Sequence, residues 1–464
     1  MYGGIMEKKE AKFIHGLIPI LVLAVIMFLA VVKLDAEPHL PLIIGTVVAG
    51  VIAWKCCGWT WDELLGEAIK GIDQALEAVL ILISIGILVS MWIASGTVPT
   101  MIYYGLKIVT PKIYLLATFV LCTVISMFVG AWGAAGTVGI AFMGIGTALG
   151  TPPALAAGAV IAGAYVGDKM SPFSDGTNLA AAVSGSNIFE MIKKIMPIAL
   201  PVWVVSAVIY LIVGIRTATG SAEAIASNLA PMMSGLEGSF KLGLLAIIPL
   251  VIMIVCVIFK LPSLIAILIG ALAGAVVALT VQGCTFAELF SYSSDGFVSE
   301  TGVAALDSLL SAGGIQAMMR TISIIFVAMA FGGVMQGTGQ MEALVRPIVT
   351  KVKSVGGMIA LTIVTCIGIN AALPDQYLGI AVSGQMYAGE YEKRGLSHNT
   401  LGNVLGAGAA VTSPLIPWNT CGAYMTAILG VNALSYAPFA FFNLLLPIVV
   451  IIIGFVGGKK AFER

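Results

Sequence analysis

The chain has 464 residues, of which 23 are basic and 23 acidic, so its formal net charge is zero. Charged residues make up 10% of the chain and hydrophobic residues 59%, whereas soluble globular proteins carry about 25% charged residues. So few charges cannot cover the surface of a soluble protein of this length, and a balanced charge offers no basic face for nucleic acid. The composition therefore predicts an all-α polytopic membrane protein whose main partner is the lipid bilayer.

Residues 13–32 form an apolar run that is long enough to cross a bilayer as a helix. The run is longer than the apolar core of a cleaved signal peptide, which is the alternative interpretation. About thirteen further apolar segments, each a span or a membrane-buried helix, are predicted near residues 40–56, 77–95, 113–130, 136–149, 154–167, 195–215, 242–259, 261–281, 320–336, 356–373, 376–388, 401–411 and 438–457.

The polar segment 216–241 is predicted to link two transmembrane repeats, residues 1–215 and 242–464. The halves echo each other in order: a Leu-Pro pair opens an apolar run in each, a Thr-x-x-Glu-Leu segment follows, and a Ser-Pro motif comes later. Lysines near both ends place both termini in the cytoplasm by the positive-inside rule; they are Lys8, Lys9, Lys12, Lys459 and Lys460. With an odd number of spans in each half, the repeats would be inverted, which is typical of secondary transporters.

Residues 163–180 interrupt an apolar region with charges and hydroxyl groups, and charges at such positions mark function by default. Pro172 and Gly176 oppose a continuous helix, so a broken helix or hairpin tip beside a cavity is predicted. The alternative is an ordinary loop outside the membrane with a capping aspartate. The candidate site residues in this first motif are Asp168, Lys169, Ser171, Ser174, Asp175, Thr177 and Asn178.

Residues 411–425 form a second motif that prolines break and that offers Ser413, Asn419 and Thr420 as oxygen-bearing side chains. Two broken segments at matching places in two halves indicate a substrate site. Asp375 follows an apolar run between the two motifs and is a third candidate carboxylate. Its alternative is a helix N-cap at the membrane surface.

These motifs resemble those of the NhaC-type Na+/H+ antiporters, over roughly residues 60 to 430 and in the same order. The resemblance rests on GAYVGDKMSPFSDGTNLA (163–180), ASGTVPTMIYYG (94–105), GTVGIAFMGIG (136–146), DQYL (375–378), YEKRGL (391–396) and VTSPLIPWNTCGAYM (411–425). It implies the ion-transporter superfamily fold, with helical hairpins in a transport domain beside a scaffold, and a homodimer.

The chain departs from that family pattern at three places. Gly176 replaces a usual Thr, Gly130 and Ala131 replace hydroxyl residues before Trp132, and Gly406 lies where an acidic pair often stands. Each departure removes an oxygen that could hold a cation.

The first functional hypothesis is exchange of Na+ for H+ by competition for buried carboxylates. Asp168 and Asp175 would be shared, with Asp175, Asn178 and Asn419 as Na+ ligands, and no cofactor would be needed beyond the transported ions. The alternative is ion-coupled transport or exchange of a small organic acid or amino acid. In that case Lys169 would hold the anion, whereas in a cation exchanger it would pair with Asp168 or Asp375. A channel or a membrane enzyme is a third class, and the sequence offers neither a metalloprotease nor a serine-hydrolase motif for it.

Overall fold

The computed structural model describes residues 8–34, 36–172, 174–217, 222–259, 261–349, 352, 354–372 and 375–458, and every regular element in these ranges is a helix. Within the described residues, eight helices are long and apolar enough to cross a membrane, or ten if each of two bent helix pairs forms one span. The all-α polytopic fold is thus confirmed. The number of full-length spans is smaller than the number of predicted segments because several of those segments are short or broken helices.

The described part of the first half contains α1 (Phe13–Met27), α2 (His39–Cys57), α3 (Trp61–Gln74), α4 (Leu76–Ala94), α5 (Thr97–Ile108), α6 (Tyr114–Ala134), α7 (Ile140–Ala148), α8 (Pro153–Met170), α9 (Asp175–Ser184) and α10 (Ile188–Thr217). A π-helical turn at Ala135–Gly139 joins α6 to α7.

The remainder of the described chain contains α11 (Ala222–Ser239), α12 (Leu244–Ile258), α13 (Ser263–Val277), α14 (Phe286–Asp295), α15 (Ala304–Leu310), α16 (Ile315–Gly337), α17 (Gln340–Val349), α18 (Val355–Ala372), α19 (Gln376–Lys393), α20 (His398–Leu405), α21 (Thr420–Leu429), α22 (Ala433–Tyr436) and α23 (Phe441–Gly457). Further π-helical segments follow α1 (Phe28–Lys33), α13 (Ala278–Gln282) and α20 (Gly406–Ala410).

The segment predicted to be a linker is largely helical, because α11 occupies most of it. The end of α11 and the start of α12 meet at an angle of 87°. The boundaries of the two repeats, their inversion, the homodimer and the cytoplasmic placement of both termini all stay predictions. Lys459 and Lys460, on which the placement partly rests, lie outside the described residues.

The repeated Thr-x-x-Glu-Leu segments form the same local structure twice. In each, a glycine in the left-handed region ends the preceding helical run: Gly58 at φ 77° and Gly283 at φ 86°. A capping box then begins the next helix. Glu63 accepts the Thr60 amide at 3.0 Å, and Glu288 accepts the Thr285 amide at 2.7 Å. The sequence echo therefore encodes two matching helix starts, those of α3 and α14.

The two halves pack into each other rather than side by side. Helix α4 of the first half lies against α13 of the second, and α16 of the second lies against α2 and α3 of the first. The Trp92 indole in α4 donates to the Gly270 carbonyl in α13 at 3.0 Å. Where α3 meets α16, a Cβ on Gly71 would overlap the backbone of Met329. Small residues thus bring the backbones of the two halves into contact, as is common between membrane helices.

Helices α6 and α8 form the most extensive helix pair, and they carry the first motif. Two glycines four residues apart on α8 face the backbone of α6. A Cβ on Gly163 would overlap the carbonyl oxygen of Phe119, and one on Gly167 would overlap that of Thr123. This contact fixes how far the end of α8 lies from the end of α6.

We expect Gly167→Ala to lower the thermal unfolding temperature of the detergent-solubilised protein, because the added methyl group must push α8 away from α6. Overpacking of this kind costs about 1–3 kcal/mol. The control is Gly368→Ala in α18, where an added Cβ meets nothing within 4 Å. Equal unfolding temperatures for the two variants would contradict the close α6–α8 contact.

Candidate functional site

A break in α6 supplies the first contact of the site. Gly130 has φ 73° and ψ 171°, which takes the backbone out of the helix and which glycine adopts without strain. The amide of the next residue, Ala131, is thereby turned toward α8 and donates to Asp168 Oδ1 at 3.2 Å. The helix break thus provides a backbone donor for a carboxylate.

Asp168 lies in the last turn of α8 and is partly buried. Its second oxygen, Oδ2, accepts the Ser174 hydroxyl at 2.8 Å, and its backbone carbonyl accepts the Thr177 hydroxyl at 3.2 Å. Ser174 is also the N-cap of α9, because its hydroxyl accepts the Thr177 amide at 3.2 Å. Asp168, Ser174 and Thr177 are therefore brought together, as the broken-helix prediction requires.

The other first-motif residues have different environments. Ser171 is buried and donates to the Met127 carbonyl at 2.6 Å. The Asn178 amide nitrogen donates to the carbonyls of Pro172 and Ser174, so it holds the turn closed, and its side chain is exposed. Asp175, in the first turn of α9, is exposed as well. Asp175 was predicted to be a buried carboxylate shared by Na+ and H+; its side chain is exposed at the start of α9, and its role in ion binding stays a prediction.

Asp375 is buried, with 4% of its surface exposed. It is the N-cap of α19: Oδ1 accepts the amides of Tyr377 at 2.7 Å and Leu378 at 3.2 Å. Its other oxygen, Oδ2, accepts the Thr420 hydroxyl at 3.1 Å. The alternative predicted for Asp375 was correct about the cap, and this cap also contacts Thr420 of the second motif. Its place relative to the membrane surface and its role in the site stay predictions.

The second motif is a break between α20 and α21. Asn419 caps α21 by accepting the Cys421 amide at 3.1 Å, and its amide nitrogen donates to the Asn370 carbonyl at 3.1 Å. Ser413 is fully buried and donates to the Ala410 carbonyl at 2.8 Å. Of the second-motif candidates, Thr420 is the one whose hydroxyl contacts a carboxylate.

Two residues outside the predicted set also belong to the site. Asn370 is fully buried, and its amide nitrogen donates to the Ala409 carbonyl at 2.7 Å while its Oδ1 has no partner among the described residues. Tyr377 lies within electrostatic reach of Asp168, Asp175 and Asp375. The sequence could have indicated Asn370, because it is a polar side chain within the apolar run 356–373. It could have indicated Tyr377 through the Asp-Gln-Tyr-Leu motif.

The broken helix α6 and the second motif meet at a pair of stacked rings. Trp132, just after the break in α6, and Tyr424, in α21, lie with ring centroids 4.4 Å apart and an interplanar angle of 7°. The Tyr424 hydroxyl also donates to the Trp132 carbonyl at 2.6 Å. This contact joins the broken helix of one half to the broken motif of the other.

Lys169 is 2% exposed, and among the described residues its Nζ has no hydrogen-bond partner. The expected ion pair with Asp168 or Asp375 is therefore not formed. The ammonium instead lies against Gly406, in the π-helical segment that follows α20, where a Cβ would overlap it. The absence of a side chain at Gly406 makes room for the lysine.

The arrangement offers two carboxylates, Asp168 and Asp375. In each, one oxygen accepts hydrogen bonds from backbone amides and the other accepts one from a hydroxyl. A hydroxyl can rotate to present its lone pairs instead of its proton. Each carboxylate–hydroxyl pair can thus hold a proton or present oxygens to a hard cation, the ligand type such cations prefer.

The chain is similar in sequence to a family of known antiporters. Residues 163–458 match the model of the Na+/H+ antiporter family. The Na+/H+ antiporter NhaC of Alkalihalophilus pseudofirmus is 35% identical over 97% of this chain and 97% of its own length. The arginine/ornithine antiporter ArcD of Halobacterium salinarum is 35% identical over 99% and 95%, and the malate-2H+/Na+-lactate antiporter of Bacillus subtilis is 34% identical over 94% and 94%.

We expect a cysteine at position 175 to react much faster with a water-soluble maleimide than one at position 413. Asp175 is exposed whereas Ser413 is fully buried. Both Asp175→Cys and Ser413→Cys would be made in a background without the seven native cysteines and labelled in detergent. Mass spectrometry gives the rates, with Glu77→Cys as an exposed control; equal rates at 175 and 413 would contradict the described packing of the motifs.

Proposed function

The chain belongs to the Na+/H+ antiporter family, and we propose that it exchanges Na+ for H+ by competition of the two ions for Asp168 and Asp375. Its relatives are named as secondary antiporters of sodium, amino acids or organic acids. The roles proposed for individual residues are therefore roles in secondary active antiport.

The observation that carries the proposal is the environment of Asp375. A carboxylate that is 4% exposed, capped by two amides and touched by the Thr420 hydroxyl is held in one position inside the protein. An unneutralised charge is costly at such depth. Binding either a proton or a Na+ ion neutralises it, so the two ligands can substitute for each other.

Asp168, in the other half, is contacted by the same two kinds of group. One amide, from Ala131, and one hydroxyl, from Ser174, contact its oxygens. The electrostatic reach of Tyr377 to both Asp168 and Asp375 supports treating them as one site rather than two distant ones. We propose that Ser174 and Thr420, both candidate site residues from the sequence, supply neutral oxygens.

Competition for one site is sufficient for coupled exchange. A bound Na+ prevents protonation of the same oxygens, and a bound proton removes the charge that attracts Na+. Each ion is then carried only when the other has left. Asp175, which is exposed in the first turn of α9, would attract cations to the site without being the group that binds them in exchange.

We expect Asp168→Asn and Asp375→Asn each to abolish Na+-driven proton movement, because an amide neither binds a proton nor neutralises Na+. The measurement is dye-reported pH change in proteoliposomes after addition of Na+. Asp175→Asn should keep exchange with weaker apparent Na+ affinity, and Asp73→Asn in α3 is the matched exposed control. Full exchange by Asp375→Asn would remove that residue from the mechanism.

The pH dependence follows from the same competition. As pH falls, protons occupy more of the shared carboxylates, so the Na+ concentration giving half-maximal exchange should rise. For one competing proton the rise is about tenfold per pH unit once the site is mainly protonated. Rates measured across a series of Na+ concentrations and pH values would show this. A half-maximal Na+ concentration that stays constant while the maximal rate changes would contradict a shared site.

A further inference from the structure

The chain between α14 and α16 forms a compact loop around the short helix α15. Three glycines of this loop, Gly296, Gly313 and Gly314, have φ angles of 97°, 85° and 82°, a region of backbone space that glycine adopts without strain. A Cβ on Gly296 would overlap the Gly313 carbonyl oxygen, and the Phe297 amide donates to the Ala312 carbonyl at 3.0 Å. The two ends of the loop therefore pack backbone against backbone.

Asp307, in the first turn of α15, fixes the rest of the loop. Its Oδ1 accepts the Ser299 hydroxyl at 2.9 Å and the Thr301 amide at 2.6 Å. Its Oδ2 accepts the Gly302 amide at 3.1 Å. The loop thus has a defined shape that needs no ligand to hold it.

The end of the loop that precedes α16 lies against the side of α4. The Gly314 amide donates to the Gly86 carbonyl at 2.7 Å, and a Cβ on Gly313 would overlap the Ser90 amide nitrogen. Helix α4 belongs to the segment Trp61–Ala94, which is long and apolar enough to cross a membrane. Irregular backbone beside such a helix is tolerated where it is enclosed by protein or lines water.

Two cavities, of about 390 and 370 Å³, lie side by side at this loop and share Phe297 and Val298 as walls. Each can hold about ten water molecules, since a water molecule occupies about 30 Å³. Glu300 lines the first cavity and Asp295 the second, and both side chains are exposed. The described residues that line the two cavities include no lysine or arginine. A water-filled space with two negative charges and no positive one attracts hydrated cations.

The second cavity reaches the helix that carries Thr420. Ala427 and Ile428, near the end of α21, form part of its wall. Thr420, Tyr424 and Ala427 follow each other at intervals of four and three residues, so they lie on one face of α21. That face leads from the cavity to the hydroxyl on Asp375 over roughly 10 Å of helix, at about 1.5 Å per residue.

The stacked rings of Trp132 and Tyr424 lie about halfway along this face. Helix α4 follows the same course on the other side. A Cβ on Gly136 would overlap the Tyr424 hydroxyl and contact Ile85, and Val89, one helical turn after Ile85, lines the second cavity. The ring pair therefore separates the cavity from the carboxylate site.

We propose that the two cavities form an aqueous vestibule through which hydrated Na+ approaches Asp375 from one side of the membrane. Asp295 and Glu300 raise the local concentration of the cation, and the ring pair is the barrier that the ion passes to reach the oxygens of Asp375 and Thr420. The identity of the ion rests on the Na+/H+ exchange proposed above. The vestibule itself follows from the packing of the loop against α4 and α21.

The first experiment measures whether the vestibule holds water. Ala317→Cys and Ala427→Cys, both in the wall of the second cavity, are made in a background without the native cysteines and placed in lipid nanodiscs. The reagents are methanethiosulfonates that carry either a trimethylammonium or a sulfonate group, and each rate is divided by the rate of the same reagent with free cysteine. Leu272→Cys, at an exposed apolar position of α13, is the control for a thiol that faces lipid.

We expect both cavity cysteines to react much faster than Leu272→Cys, because the reactive form of a cysteine is the thiolate, which forms in water. At position 317 the normalised rate should be about tenfold higher for the trimethylammonium reagent than for the sulfonate. Asp295→Asn combined with Glu300→Gln should remove most of this preference. Cavity cysteines that react no faster than Leu272→Cys, or equal normalised rates for the two reagents, would overturn the vestibule.

The second experiment measures Na+-driven proton movement in proteoliposomes. Asp295→Asn combined with Glu300→Gln should raise the half-maximal Na+ concentration about threefold or more at low ionic strength and leave the maximal rate unchanged. Added choline chloride should abolish the difference, because salt screens charges beyond about 10 Å at 0.1 M. The matched control is Asp73→Asn combined with Glu342→Gln, two exposed carboxylates outside both cavities.

An unchanged half-maximal Na+ concentration in the Asp295→Asn, Glu300→Gln protein would overturn access of Na+ by this route. An equal rise in the control protein would overturn it as well, since the effect would then belong to surface charge in general. Absence of exchange in the native chain would instead contradict the proposed function. The labelling rates need no transport, so they decide separately whether the vestibule holds water.

Discussion

The structure of the site depends on one constraint: a carboxylate buried in a membrane protein needs hydrogen-bond donors, and the helices themselves must release them. A continuous helix uses its amides internally, so it has none to offer a carboxylate. A break or a helix start frees them. Asp168 receives the amide released at Gly130, and Asp375 receives two amides from the first turn of its own helix.

The same constraint explains why both carboxylates lie at helix ends. The hydroxyl that contacts Asp168 comes from the N-cap of α9, and the one that contacts Asp375 comes from the first residue of α21. Each carboxylate therefore lies between helix ends rather than along a helix. A shift of α9 or α21 changes the hydrogen-bond partners of a carboxylate directly. Ion binding is therefore coupled to the positions of these two helices.

The sequence predicted the breaks well because they depend on local chemistry. The end of α8 at Met170, the cap at Ser174 and the start of α21 after Asn419 follow from proline, serine and asparagine at fixed positions. It predicted contacts between distant segments less well. The exposure of Asp175 depends on how α9 packs, and the Ala131 amide reaches Asp168 across 37 positions. Lys169 against Gly406 is likewise a meeting of the two halves, which neither motif reveals alone.

The interlocking of α4 with α13 and of α16 with α2 and α3 has a consequence for how the chain is made. The capping boxes that begin α3 and α14 are local and can form as soon as each segment leaves the ribosome. The surfaces of α2, α3 and α4 that α13 and α16 cover, however, stay without these neighbours until α13, which ends at Val277, and α16, which ends at Gly337, have been synthesised. Whatever covers those surfaces during that interval has to leave before α13 and α16 can pack, so this part of the fold is completed late in biogenesis.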